Sequence, residues 1–572
     1  MITLNEAETI VAELEALGID HIFSVPGTQN ITFFEALRRS GLKTVVSSDE
    51  RSAAFSALGF SKASARVGVL STIPGPGFLF ALPAIAEAKA GSIPLIYLML
   101  REPPAEQPFA LQDLPQTEMV APLVKSVIVS SPENAVAALR TALQQSLADE
   151  PGPVYLEIRT GHGSSQITPH RDLRDLPTDD EVTNLAARLL GSTRPVILIG
   201  GGAVTSAVEV KALCQLLGCP VLTTSSGRGI VPDGDPHLLL KDFSSGVGRV
   251  VPQLLDYADL IFVIGAKLSH NGTAGFQLAL PEEKLVRLDS SAEILQANYP
   301  ASISVRARAE DLLPKLLRAL KALGVSQTAW SELELAEYRA ALQVELDNVA
   351  QSEPLVRHTD NPRIASFFRL LRAHLPESVS IVCDSGQHQG FVRRYFSIIA
   401  PRELIIPADF QSMGFALPAA IGAALANPAR RTVCVVGDGS FLLSASELLT
   451  AAKLKLNLLV IVVNDQAFGL IRNLQLREFG QEFGTTLPTF ILDQLANSFG
   501  ADYQLAYGDT ESLLAGILTE SGVTVLEISL GDSHSLTRQA GVARAKSSAR
   551  ALIPASLWTI FSRFLKRVRQ YV

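Results

Sequence analysis

Residues 432–469 read TVCVVGDGSFLLSASELLTAAKLKLNLLVIVVNDQAFG. A Val-rich apolar run, a Gly-Asp-Gly turn, a helical stretch and a second Val/Ile run follow one another. That order predicts strand, helix, strand, with the two strands parallel through a right-handed crossover. Parallel strands bring Asp438 and Asn464 to the same carboxyl edge of a sheet although they stand 26 residues apart. Open α/β sheets bind their ligands at that edge. A carboxylate and an amide oxygen are hard ligands suited to Mg²⁺, which takes its remaining oxygens from phosphate and water. Gly437 and Gly439 let the backbone approach a phosphate, and the helix start that follows favours negative charge. Taken alone, an Asp-Gly turn between a strand and a helix is more often only a turn.

The same alternation extends outward almost through the chain, as in TVVSSDE, RSAAFSALGFSKAS and VGVLSTIPGPG at residues 44–77. It breaks near residues 160–182, where GHGSSQITPHRDLRDLPTDDE is polar and lacks apolar periodicity, and again near 325–362. The expected fold class is α/β, with three doubly wound parallel-sheet domains at 1–162, 183–324 and 363–531 and a separate tail at 532–572. Composition agrees: the 572 residues are 47% hydrophobic and 19% charged, as in sheets covered on both faces. A net charge of −8 argues against a nucleic-acid partner. The tail differs, since residues 541–572 hold seven Lys or Arg and no acid, with Leu557, Ile560, Phe561, Phe564, Leu565 and Val568 on one helical face. It reads as a basic amphipathic helix that either docks on the body or a partner subunit or lies on an anionic membrane surface. Cys214, Cys219, Cys383 and Cys434 form no metal-ligand cluster. With an acidic start and apolar runs too short to span a bilayer, the expected location is cytoplasmic.

Three ordered matches in the third domain carry a resemblance. The GDG turn followed by a spacer and Asn is similar to the signature of thiamine diphosphate (ThDP) enzymes. DFQSMGFALPAAIGAAL at 409–425 resembles a segment of acetolactate synthases, and SGQHQ at 385–389 resembles their GQHQ motif. Carried over, the resemblance implies that Asp438, the Asn464 side chain and the Gln466 backbone carbonyl hold Mg²⁺. It implies that Gln387 and His388 contact the diphosphate, with Gly437, Gly439, Ser440 and Phe468 lining the cofactor. Met413 would wedge beneath ThDP, and the backbone at Gln411 and Met413 would bond its aminopyrimidine. Out of this context Met413 and His388 would both be ordinary core residues.

ThDP chemistry needs a carboxylate against its pyrimidine ring, so that the cofactor's own amine can take the proton from C2 of the thiazolium. Glu50, at the end of KTVVSSDE, resembles the glutamate of the family, with IPGPG at 73–77 in place of the usual SGPG turn. By itself it would be a first-turn acid favoured by the helix dipole. Gln112 stands thirteen residues before Lys125, the spacing of the family's FQE glutamine before its TK pair, with Phe109 and Leu111 beside it. Two flanking residues depart from the pattern: Asp49 and Arg51 stand where acetolactate synthases commonly have His and Gln, and DERSAAFSALGFSKAS is closer to the menaquinone-pathway ThDP synthases. Arg51 is either solvated or meets a substrate carboxylate.

The middle domain resembles the family's Rossmann-like central domain. Biosynthetic acetolactate synthases hold FAD there, but GGGA at 200–203 is not GxGxxG, so an empty or structural role is favoured over FAD; Arg228 and Asp289 stay unassigned. Where those synthases carry a Trp that shapes acceptor choice, Leu474 stands here, and Phe468, Leu470 and Ile471 suggest an apolar donor pocket. The resemblance implies a homodimer or homotetramer in which Glu50 of one subunit reaches cofactor held by another. The implied reaction is decarboxylation of a 2-oxo acid with carboligation to a second carbonyl compound. The alternatives are a non-ligating decarboxylase that releases an aldehyde, disfavoured by the lack of a His-His pair, and a non-catalytic ThDP-fold scaffold.

Overall fold

Short, wholly apolar strands bury both faces only when helices cover both sides of a sheet, and that is the arrangement found. The computed structural model describes residues 2–102, 111–160, 176–243, 248–324, 328–360, 363–407 and 409–530. Phe109 and the amphipathic tail lie outside them. The first sheet contains β1 (His21–Ser24), β2 (Lys43–Val46), β3 (Gly68–Thr72), β4 (Leu95–Arg101), β5 (Ser126–Ser130) and β6 (Pro153–Arg159), in the spatial order 2-1-3-4-6-5. The second contains β7 (Pro195–Ile199), β8 (Val221–Thr223), β9 (Leu238–Leu240), β10 (Leu260–Ile264), β11 (Leu285–Asp289) and β12 (Ile303–Arg306), in the order 12-11-10-7-8-9. The third contains β13 (Val379–Cys383), β14 (Leu404–Ile405), β15 (Arg431–Gly437), β16 (Leu458–Asn464), β17 (Asp502–Leu505) and β18 (Val523–Ser529), in the order 14-13-15-16-18-17. Every pairing between these strands is parallel.

The first and third sheets therefore repeat one topology, whereas the second has the Rossmann order. In each, the chain reverses its winding direction at one pair of neighbouring strands, and the loops leaving that pair splay apart into a crevice. The pairs are β1/β3, β10/β7 and β13/β15. Above β10/β7, the turns at Gly201–Gly202 and Gly265–Ser269 border a cavity of about 660 Å³, closed by Lys62 from the first unit and Arg402 from the third. Asp289 lines it, and burial pushes its carboxyl up to about 6. Arg228 instead joins units: it pairs with Asp233 at 2.5 Å and donates to the Arg393 and Phe396 carbonyls. The four cysteines are buried and free, and no described helix is long and apolar enough to cross a membrane.

One apolar cluster runs through both the first and third units. Its axis is the crossing of helix Glu50–Ser64 with helix Ala416–Ala426, rich in Ala and Gly at the contact. A Cβ on Gly59 would lie 2.1 Å from the Ala419 carbonyl oxygen, and one on Gly422 would lie 1.9 Å from that of Ser56. Phe55 packs edge-on against Phe415, and the Ser56 hydroxyl donates to the Pro418 carbonyl at 2.9 Å. Gly422→Ala must spread this crossing and is expected to destabilise by about 1–3 kcal/mol, lowering the thermal midpoint. Gly516→Ala is its control: the added Cβ meets nothing within 4 Å. That change is expected to stabilise by about 0.5–1 kcal/mol.

Candidate active site

The crevice above β13 and β15 gathers most of the residues expected at the diphosphate. Asp384, just past β13, is wholly buried, and its carboxylate accepts from the backbone N–H groups of Ser385 (2.9 Å), Gly414 (3.2 Å) and Ala416 (2.7 Å). Burial pushes it up to about 6, so its charge is tolerated only because these donors surround it. It thereby fixes the loop with Gln411 (φ +59°) and Met413, whose side chain stays 39% exposed. Ser385 Oγ donates to Gln411 Oε1 (3.1 Å), and Ser412 N donates to Glu87 Oε2 of the first unit (3.2 Å).

Next to Asp384, the His388 ring is buried under Gly437, where any Cβ would stand 3.0 Å from Nδ1. Its Nε2 has no hydrogen-bond partner. Gln387 Oε1 accepts from Asn473 Nδ2 at 3.1 Å, and Ser440 Oγ donates to the Ser385 carbonyl at 3.4 Å. The Phe468 ring lies against Gly439, 2.9 Å from where a Cβ would be. So Gln387, His388, Gly437, Gly439, Ser440 and Phe468 share one crevice.

Two of the three expected metal ligands, Asn464 and the Gln466 carbonyl, have protein partners here. Asp438 is buried and its Oδ2 has no hydrogen-bond partner; burial, then the carboxylate of Asp465, push it up to about 7. Asn464 turns away. The two-residue period of β16 sets Asn464 on the face of Val462, whose register partner on β18 is Glu527, and Asn464 Nδ2 donates to Glu527 Oε1 at 2.7 Å. Its Oδ1 accepts from Gln466 N at 3.1 Å, while the Gln466 carbonyl accepts from Leu487 N at 2.9 Å. The group nearest to Asp438 in charge is thus Asp465, whose carboxylate pairs with Arg472 at 3.0 Å and crowds the position of an absent Cβ on Gly469. Two repelling carboxylates, one with a buried free oxygen, form a donor set that a divalent cation relieves. No cluster of three or more His, Cys, Asp or Glu exists among the described residues, so a cation here would need other oxygens as well.

On the first unit, Glu50 opens helix Glu50–Ser64, capped by Asp49, whose Oδ1 accepts from Ser52 N at 2.7 Å. Its carboxyl is half-buried and raised, chiefly by burial and then by Asp49. The IPGPG turn packs on it, with Glu50 Oε1 only 2.8 Å from the place of a Cβ on Gly77. Gln112 (φ +58°) sits on the same turn against Gly75, and its Oε1 accepts from Gln29 Nε2 at 2.7 Å; Leu111 beside it is exposed. Gln116, not foreseen, is buried and accepts from Gly75 N at 2.8 Å, fixing that turn. Arg51 is not merely solvated: its Nη2 donates to the Leu443 carbonyl of the third unit.

Comparison with known proteins matches these units one by one. The description "Thiamine pyrophosphate enzyme, N-terminal TPP binding domain" fits residues 4–122, "central domain" fits 182–316 and "C-terminal TPP binding domain" fits 384–528. The chain belongs to the acetolactate synthase-like ThDP-dependent enzymes. Among its relatives are a probable acetolactate synthase large subunit of Methanocaldococcus jannaschii (28% identical over 567 residues, 93% of each chain) and the acetolactate synthase isozyme 1 large subunit of Escherichia coli (28% over 509 residues, 87% of this chain and 88% of that one). A probable 2-ketoarginine decarboxylase of Pseudomonas aeruginosa is 28% identical over 544 residues, covering 92% of this chain and 94% of its own.

The His388 environment makes a direct prediction for this ThDP enzyme. Burial pushes its ring down to about 3, against 6.5 in the unfolded chain, so the folded ring stays neutral. Its contribution to stability is complete above about pH 6.5 and is lost as pH falls toward 3, by about 1.4 kcal/mol per unit. In ¹⁵N-histidine-labelled protein, NMR should show a neutral His388 ring from pH 5 to 8; a titration in that window contradicts the burial argument.

Proposed function

We propose that this chain catalyses Mg²⁺- and ThDP-dependent decarboxylation of a 2-oxo acid, followed by carboligation to a second carbonyl compound. The observation that carries it is the state of Glu50: a half-buried carboxyl, raised by desolvation and presented at a helix start over a Pro-Gly turn, is equipped to share a proton. The third unit's orphaned Asp438 oxygen and His388 nitrogen fit a diphosphate with its cation. When bound, ThDP supplies the nucleophilic thiazolium carbon and the sink for the electrons released with CO2.

Each side chain then has a part. Glu50 holds the proton at the pyrimidine N1′. Gln387 and neutral His388 orient the diphosphate, whereas Gly437, Gly439 and Ser440 let the backbone approach it. The Gln411 and Met413 backbone takes the aminopyrimidine, and the exposed Met413 side chain supports the ring pair. We assign the cation to Asp438 and Asp465, with Asn464 bracing the turn through Glu527. Gln112 faces the substrate side of the Gly75 turn. A second copy of the chain covers the exposed Leu79, Phe80, Leu442 and Leu443 and completes the site. FAD has no part in this reading.

Phe468, Leu470, Ile471 and Leu474 are each 38–48% exposed around the start of helix Gly469–Phe479 and present an apolar wall. That wall favours 2-oxo acids with apolar side chains larger than methyl over guanidinium-bearing ones, since a cation loses hydration there without a partner. Mass spectrometry of products from pyruvate, 2-oxo-4-methylpentanoate and 2-ketoarginine tests this. Expected is a hydroxyketone or 2-hydroxy-3-oxo acid, formed most efficiently from the branched donor; aldehyde alone rules out carboligation. For the cation, Asp465→Ala should raise the Mg²⁺ concentration at half-saturation more than Asn464→Ala, whose bracing loss is expected to cost about 10–100-fold. The reverse ranking returns the ligand role to Asn464.

A further inference from the structure

The loop that presents Glu50 is fastened to the third unit at three points. Ser48 N donates to Glu447 Oε1 at 2.8 Å, Ser48 Oγ donates to the Ser446 carbonyl at 3.3 Å, and Arg51 Nη2 donates to the Leu443 carbonyl. Leu443 lies in helix Asp438–Ser444, little more than one turn beyond Asp438, and Glu447 opens the helix that follows. Glu447 is wholly buried, so the acceptor side of its hydrogen bond to Ser48 is shielded from water. Arg51 Nη2 also stands 3.6 Å from Asp49 Oδ2, the cap of the Glu50 helix. On the other side, Gly414 leaves room for the guanidinium, with Nη1 3.8 Å from the place of its absent Cβ.

This geometry has a mechanical consequence. A helix moves as a unit, and the short helix begun by Asp438 carries, in its last turn, the Leu443 carbonyl that Arg51 holds. Whatever settles Asp438 also settles Leu443, Ser446 and Glu447, and through them Ser48 and Arg51 on either side of Glu50. We propose that Arg51 and Glu447 are positioning residues that couple the placement of the Asp438 helix to the placement of the Glu50 carboxyl in the same chain. The proposal rests on the roles given above to Asp438 and Glu50. It assigns Arg51 to this contact and not to a substrate carboxylate, because the substrate-side alternative would leave the Leu443 carbonyl without the donor it has here. Glu447 acts through its acceptor oxygen, so the amide of glutamine can replace it, whereas alanine cannot.

Hydrogen exchange by mass spectrometry over residues 46–60, with and without Mg²⁺ and ThDP, tests the coupling, together with the pH profile of kcat in the holoenzyme. In the unaltered protein, adding Mg²⁺ and ThDP is expected to slow exchange in the first turn of the Glu50 helix by about tenfold or more. Arg51→Met and Glu447→Ala should keep the protection around residues 438–444 but lose it at 50–54. In both, kcat should fall by about 10–100-fold with KM for the 2-oxo acid nearly unchanged, and the acidic limb of the kcat profile should move. Glu447→Gln should restore both readouts, and Arg51→Lys only part. Should Arg51→Met fail to fold, the Glu447→Ala and Glu447→Gln pair decides alone. Ligand-induced protection at 50–54 and an unmoved pH profile in Arg51→Met and Glu447→Ala would overturn the proposal. Glu50→Gln separates the two levels: full turnover in that variant sinks the functional reading, whereas an inactive Glu50→Gln beside unaltered Arg51 and Glu447 variants sinks only the coupling.

Discussion

Backbone against backbone, the crossing of helices Glu50–Ser64 and Ala416–Ala426 is the contact on which the rest of the structure depends. With Gly59 against the Ala419 carbonyl and Gly422 against that of Ser56, two helix axes approach more closely than side chains would permit. Each helix follows the second strand of its sheet in chain order, β2 in one case and β14 in the other. Each also begins at or just after a group given a catalytic part above, Glu50 at the start of one and the Gln411–Met413 loop ahead of the other. One steric constraint therefore fixes the orientation of the carboxylate proposed to handle the proton and of the loop assigned to the pyrimidine. The repeated 2-1-3-4-6-5 topology makes this exchange of equivalent elements between two units natural.

Electrostatics at the site runs against stability. Asp384, Asp438 and His388 are all buried with pKa values moved toward their neutral forms, and several polar atoms of the crevice have no partner. Such groups are retained when a ligand needs them. Asp384 differs from the other two, because it converts one buried charge into three backbone hydrogen bonds and so holds a loop of positive-φ residues, Gln411 and Gly414, in place. Glu527 acts similarly on Asn464 from the neighbouring strand.

Local pattern makes the fold readable: apolar runs of five to seven residues separated by helical stretches yield parallel sheets wherever they occur, and Gly437–Gly439 lies at the strand-to-helix turn anticipated for it. Glu50 is legible because a strand, a cap and a Pro-Gly turn surround it within 30 residues. What stays hidden is set by distant parts of the chain. The Ser48–Glu447, Ser56–Pro418 and Arg51–Leu443 contacts join residues more than 360 positions apart, and no sequence period reports them. At the metal turn the amide of Asn464, expected as a ligand, is engaged by Glu527, for a local reason. Side-chain alternation in β16 sets Asn464 toward Glu527, and that is readable only once the neighbouring strand is known.

On the roles proposed above, Glu50 prepares the cofactor that the Asp438 crevice holds. Exchange of the thiazolium C2 proton for deuterium in the bound cofactor, followed by acid quench and ¹H NMR, tests it most directly. Exchange is expected to be much faster than in free ThDP for the unaltered chain and to return to the free-cofactor rate in Glu50→Gln, with ThDP still bound. Rapid exchange persisting in Glu50→Gln would contradict it.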